Sequence, residues 1–256
     1  MSIPVPDRAM VFAAGVGGRM RPLTETTAKP LLQVDGRSIL DHVLDRLDGA
    51  GVRDVVVNVF WQADRVAAVL RARAAAGSGP RAAIRREDAL LETGGSAAAA
   101  LREGDLGPDP FFLLNGDSVW LNGPVPALRR LAAAFDPARM DALLLLARVT
   151  RAVGEVGRGD FTLDPTGILG RPSERAMTPY VFTGVQIATP ALFADAPAGG
   201  FSMNALWDRA IGRGRLAGIV HDGLWCHLSR PQDLEAATHA LRTARDPDAA
   251  NRDGAV

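Results

Sequence analysis

Lysine is almost absent from this chain. Of its 29 lysine and arginine side chains, 28 are arginine and the last is Lys29. Cysteine is as scarce, occurring once as Cys226. One cysteine excludes an intrachain disulfide and a four-thiolate zinc site, and it suits a reducing cytoplasm. Formal net charge is zero and the arginines are spread throughout, so no basic face for nucleic acid stands out. No apolar run approaches the roughly 18 residues of a membrane span. The opening residues lack the basic start and apolar core of a secretion signal. The expected setting is therefore the cytoplasm, with no nucleic-acid or membrane partner.

What is present alternates between strand-like and helix-like segments. That pattern predicts an α/β fold, Rossmann-like, with a mixed but mostly parallel sheet flanked by helices. Short apolar or β-branched runs predict strands at residues 9–14, 54–59, 81–86 and 111–114. Helical spacing predicts helices at residues 38–50, 63–76 and 93–102. Ser38 is placed to cap the first of these, with Asp41 three residues on. Further along, residues 140–149 form a long apolar strand candidate. Residues 157–170 and 179–188 read as β segments, and residues 201–211 and 231–244 as helices. No Ser/Gly linker divides the chain and no repeat is visible, so a single domain is expected over residues 1–245. Within it the second half, residues 136–245, is more mixed in texture than residues 8–135. The polar stretch 246–256 is expected to be a flexible tail.

The chemistry concentrates in Ala14-Gly15-Val16-Gly17-Gly18-Arg19, followed by Pro22-Leu23-Thr24 and Lys29-Pro30. Glycines after a strand permit positive φ and bring backbone N–H groups close to an anion. Arg19 and Arg21 suit bidentate phosphate contacts. The pattern is neither a Walker loop nor a dinucleotide fingerprint. Lys29 has two accounts. A genome biased toward arginine leaves a stray lysine by chance; a site that needs a compact, rotatable ammonium requires one.

This text resembles the opening of the sugar-1-phosphate nucleotidyltransferases, which join a nucleoside triphosphate to a sugar phosphate and release pyrophosphate. The resemblance implies that Arg19 stabilises the triphosphate and that Lys29 holds the phosphates. It also implies nucleotide contacts from Ala14, Gly15, Gly17 and Gly18, with residues 8–135 binding the nucleotide and residues 136–245 the sugar. Leu91-Glu92-Thr93-Gly94-Gly95 is similar to the segment that receives the base, which makes Glu92, Thr93 and Gly94 candidates; read alone, the segment is a helix entry capped by Thr93. Asn115-Gly116-Asp117 follows a buried strand, where open α/β sheets bind ligands. There the resemblance assigns Asn115 to the nucleotide and Asp117 to a divalent ion; read alone, it is good turn chemistry.

Within the family, the chain is most similar to short, single-domain N-acetylmuramate-1-phosphate uridylyltransferases. That likeness implies UTP and N-acetylmuramate 1-phosphate as substrates, Mg2+ as cofactor, peptidoglycan recycling as the setting, and a monomer or small homo-oligomer. It adds Gly159, in the turn Gly157-Arg158-Gly159-Asp160, and Gly184, in Phe182-Thr183-Gly184, as sugar-side candidates. A mannose-1-phosphate guanylyltransferase shares the same opening and remains an alternative. One position departs from the family. Where Trp-x-Asp-Val-Gly-Thr-Pro supplies a second metal-binding aspartate, this chain has Trp225-Cys226-His227-Leu228-Ser229-Arg230-Pro231. His227 is open to three readings: a metal ligand better suited to Mn2+ or Co2+, a phosphate contact, or a filler. The last keeps alive a non-catalytic, nucleotide-binding regulatory protein. Cys226 beside it reads as a small apolar residue facing the core.

Overall fold

A computed structural model describes residues 3–246. Seven strands form one sheet: β1 (Arg8–Phe12), β2 (Asp54–Val59), β3 (Arg81–Arg86), β4 (Phe111–Asn115), β5 (Ala142–Arg148), β6 (Tyr180–Ala188) and β7 (Leu216–Val220). Their order is β7-β5-β6-β4-β1-β2-β3. Only β6 runs against its neighbours, so the sheet is mixed and mostly parallel. Among the described residues six α-helices accompany it: α1 (Ile39–Ala50), α2 (Ala63–Ala75), α3 (Glu92–Arg102), α4 (Ala127–Ala134), α5 (Met203–Gly212) and α6 (Pro231–Arg245).

Burial on both faces explains why the central strands read as unbroken apolar runs rather than alternating ones. Along β5, Leu143 and Leu145 enter one core with α1, α2 and α4; Leu144 and Leu146 enter another with α3 and α5. Phe112 and Leu114 against Phe111 and Leu113 divide the same way on β4. A third cluster joins Met20, Leu32, Val34 and Ile39 to Val119, Cys226 and Leu228 and to Ala237 and Leu241 of α6. It seats the chain after β1 on a small three-stranded ladder of Val119–Trp120, Trp225–Cys226 and Ala152–Val153.

Local signals account for several boundaries. Ser38 caps α1, its hydroxyl accepting from the Asp41 N–H at 3.0 Å. Gly51 ends that helix at φ 96°, which glycine adopts without strain. Asp233 accepts from the N–H groups of Ser229 and Arg230 at 2.8 and 2.7 Å and starts α6.

Other segments differ from expectation. Residues 157–170 contain only two-residue strands, Thr162–Leu163 against Leu169–Gly170. Asp164 tightens the turn between them by accepting from Thr166 and Ile168 N–H groups. Helix α4 and strand β7 lie where no element is expected. Apart from Asp246, the expected tail is outside the described residues. Among the described residues, no helix is long and apolar enough to cross a membrane.

Candidate active site

The C-terminal ends of β1 and β4 are adjacent in the sheet. Just beyond them the two chains nearly touch: the Gly116 N–H donates to the Phe12 carbonyl at 2.8 Å. A Cβ on Gly116 would sit 2.6 Å from that oxygen, so only glycine fits the crossing. This brings Asp117 beside the glycine loop that follows β1.

The loop is fixed by its own side chains. Gly17 has φ 62°, and a Cβ there would lie 2.9 Å from Thr24 and 3.0 Å from Lys29. Thr24 donates its hydroxyl to the Gly17 carbonyl at 2.8 Å, and the Trp61 indole donates to the Thr24 carbonyl at 2.9 Å. A short 3-10 turn, Lys29–Leu31, then aims the ammonium inward. The Lys29 Nζ meets Asp117 Oδ2 at 2.5 Å. Lys29 is 13% exposed and Asp117 37%. The pair is therefore sunk at the lysine and open at the carboxylate.

Around this pair lies a cavity of about 530 Å³, within the usual size range of small-molecule sites. Ala14, Gly15, Gly17, Gly18, Arg19, Lys29, Asn115 and Asp117 line one part; Glu92 and Thr93 line another. Among the described residues, Arg19 makes no hydrogen bond or ion pair, which leaves its guanidinium available to a ligand. Phe12, Asn58, Leu90, Ser96 and Ser229 also line the cavity, and sequence reasoning passed over them. Asn58 carried a faint signal: it is the one polar residue inside the run Val55-Val56-Val57-Asn58-Val59.

Four candidates are not among the lining residues. Gly94 sits in the first turn of α3 against α5, where a Cβ would lie 2.5 Å from the Phe201 ring. Gly184 lets β6 pass Ser118 and Asn115 at φ 83°. Gly159 packs against the carbonyls of Thr178 and Tyr180, and the Asp160 N–H donates to Tyr180 at 2.8 Å. His227 donates its backbone N–H to Val153 at 2.7 Å. Burial holds its imidazole pKa below the ordinary value; Asp117 opposes the shift, while Lys29 and Arg19 add to it. His227 is therefore neutral near neutral pH and within electrostatic reach of the cavity.

Thr93 does not cap α3. That helix begins at Glu92 with no side-chain cap, and Thr93 Oγ1 accepts from the Met203 N–H at 3.2 Å. The expected base-receiving loop is thus a helix start locked onto α5. Glu92 itself is held at φ 56°, uncommon for a side-chain-bearing residue. Cys226 is buried and its thiol pKa is pushed up to about 12 by burial.

A glycine cradle, a free guanidinium and an ammonium facing a carboxylate are equipped to gather phosphates. Residues 9–155 match the MobA-like NTP transferase domain, which is more than half of the chain. The chain belongs to that family. It is a nucleotidyltransferase of the sugar-1-phosphate type. An N-acetylmuramate alpha-1-phosphate uridylyltransferase from Caulobacter vibrioides is 44% identical over 240 residues, covering 93% of this chain and 98% of the relative. A protein of the same description from Neisseria meningitidis serogroup B is 35% identical over 238 residues, covering 90% and 99%. A UDP-glucose pyrophosphorylase solved with UDP-glucose superposes with a TM-score of 0.75 at 16% identity, covering 93% of this chain and 99% of that one; it shares the fold.

Proposed function

We propose that this nucleotidyltransferase joins UTP to N-acetylmuramate 1-phosphate, giving the UDP-sugar and pyrophosphate. The observation that carries the reading is the Lys29–Asp117 pair, 2.5 Å apart, at a cavity rimmed by the glycine loop and Arg19. The choice of base and sugar is supported by two relatives that match nearly end to end and bear the uridylyltransferase description.

An oxygen of the sugar 1-phosphate attacks the α-phosphorus of the triphosphate, and the bond to the β-phosphate oxygen breaks as pyrophosphate leaves. The nucleophile is already anionic, so no strong general base is required. The protein contributes position and charge neutralisation. Lys29 would hold the attacking and attacked phosphates together against their repulsion. Arg19 and the N–H groups of the glycine loop would take up charge on the departing pyrophosphate. Residues 8–135 would hold the nucleotide and residues 136–245 the sugar.

The donor set fits a magnesium ion carried by the triphosphate better than a resident, protein-caged metal. Among the described residues no group of three His, Cys, Asp or Glu side chains is placed to hold an ion. Magnesium needs only one or two carboxylates when phosphates and waters complete its shell. Asp117 would supply the carboxylate and neutral His227 a nitrogen at most. When bound, the ion would withdraw negative charge from the phosphates.

The test is pyrophosphate release from a grid of four triphosphates against N-acetylmuramate 1-phosphate, mannose 1-phosphate and glucose 1-phosphate. UTP with N-acetylmuramate 1-phosphate is expected to be the fastest pair. GTP with mannose 1-phosphate as the fastest would replace this reading with a guanylyltransferase. No release with any pair would leave a nucleotide-binding protein without turnover.

A further inference from the structure

Beneath the cavity lies a polar network that the catalytic reading does not use. Asn58, near the end of β2, is 2% exposed. Its Oδ1 accepts from the Ala13 N–H at 2.8 Å, at the root of the glycine loop. Its Nδ2 donates to Glu87 Oε1 at 2.8 Å and to Ser96 Oγ at 3.0 Å. Ser96, 1% exposed on α3, donates its hydroxyl to the same Glu87 oxygen at 2.5 Å. Glu87, 9% exposed, reaches the Leu91 N–H with its other oxygen at 3.5 Å. The Glu87 backbone N–H is tied to the Val59 carbonyl at 3.0 Å.

We propose that Asn58 is a positioning residue, whose amide sets the phosphate-holding loop after β1 against the segment Leu90–Thr93 at the other part of the cavity. Only one amide orientation serves these partners, with the oxygen toward an N–H and the nitrogen toward a carboxylate and a hydroxyl. All of the amide's donors and its acceptor are then engaged. Among the described residues Glu87 has no cationic hydrogen-bond or ion-pair partner, and burying a carboxylate this way is expensive compared with an apolar replacement. A strand that is otherwise Val-Val-Val-x-Val had an apolar solution available. The network instead joins the two segments that must grip opposite ends of one extended ligand, and Asn58 and Ser96 themselves line the cavity.

This inference rests on the nucleotide reading above. The experiment uses the full chain and compares wild type with Asn58→Ala, Ser96→Ala and Asn58→Asp. KM for UTP and for the sugar phosphate, kcat and the melting temperature are measured separately. Asn58→Ala is expected to raise the UTP KM about 10-fold, equivalent to about 1.4 kcal/mol, with the sugar-phosphate KM within about 2-fold. Ser96→Ala, which leaves the Asn58–Glu87 contact in place, is expected to raise it less. Asn58→Asp sets two carboxylates face to face, so one must take up a proton. Its UTP KM is expected to improve on acidification from pH 8 to pH 6.5 relative to wild type. A merely structural role lowers the melting temperature or the active fraction and leaves the UTP KM unmoved. That outcome in Ser96→Ala and Asn58→Asp overturns the proposal, even where Asn58→Ala does not fold. Wild type that neither turns over nor is thermally stabilised by UTP would instead remove the nucleotide reading itself.

Discussion

Lys29 interrupts an otherwise complete preference for arginine, and its surroundings supply a reason. The lysine is 13% exposed, its Nζ ends on Asp117, and its Cβ would lie 3.0 Å from any Cβ placed on Gly17. An ammonium is a compact, rotatable point charge, whereas a guanidinium is a wide planar fork. Lys29→Ala is expected to lower turnover about 10²–10³-fold, comparable to the loss of one preorganised charge-stabilising donor, and Lys29→Arg to recover little of it; steady-state rates with saturating substrates decide this. Asp117→Asn removes the open carboxylate and is expected to flatten the response of rate to added magnesium as well as lowering it. Cys226 presents the opposite case. Its thiol is buried and its pKa pushed up to about 12, so iodoacetamide at pH 8 is expected to leave native protein unmodified and to label it once denatured. That Lys29, Arg19 and Asp117 meet at one cavity was legible in sequence through the family resemblance of the motifs that carry them, since Asn115-Gly116-Asp117 read alone is also good turn chemistry. Glycine is harder to read. Gly94, Gly159 and Gly184 look like ligand positions in sequence, yet each is spaced against a neighbouring part of the protein. A missing Cβ does not record which neighbour required its absence.

At the scale of elements, the start of α3 depends on a close approach. The Gly95 N–H donates to the Phe201 carbonyl at 3.0 Å, and Phe201 N–H donates to Leu91 at 3.1 Å. A Cβ on Gly95 would lie 2.4 Å from the Gly199 carbonyl. Gly95→Ala therefore sets a helix-propensity gain of about 1 kcal/mol against an overpacking cost of about 1–3 kcal/mol, and the contact with backbone cannot yield easily. The expected net result is a lower melting temperature. Gly49→Ala in α1 meets nothing within 4 Å and is expected to raise it, by the reverse logic and about 0.5–1 kcal/mol. Opposite signs from the same substitution, read by thermal denaturation, test the packing directly. The long apolar strands and the helices with clear amphipathic spacing were legible. Helix α4 was not, because Ala127–Ala134 is only two turns long and carries no side-chain cap. Strand β7 was not, because Gly218 interrupts its apolar run; that glycine makes room for Leu146 and Leu169.

Across the whole molecule, three histidines share one electrostatic condition. His42 donates its Nε2–H to the Val34 carbonyl at 2.8 Å, His221 donates to the Leu121 carbonyl at 2.9 Å, and His227 lies near Lys29 and Arg19. Burial, the largest cause in each, lowers all three pKa values. In the unfolded chain each takes up a proton near pH 6.5. In the folded chain each resists until the pH is lower. Above pH 6.5 both states are neutral there and the histidines exert no pull. As pH falls below 6.5 the unfolded state binds more protons, so stability falls with it. Asp35 and Asp41 are also lowered, but their stabilising contribution is lost only as pH drops through and below their ordinary value of 3.8. Between about pH 6.5 and pH 5 the histidines thus act largely alone. Melting temperature is expected to decline steadily from pH 7 to pH 5.5, and replacing His42 and His221 by glutamine is expected to flatten that decline. A melting temperature that holds constant or rises across the interval would mean these imidazoles accept protons as readily inside the fold as outside it.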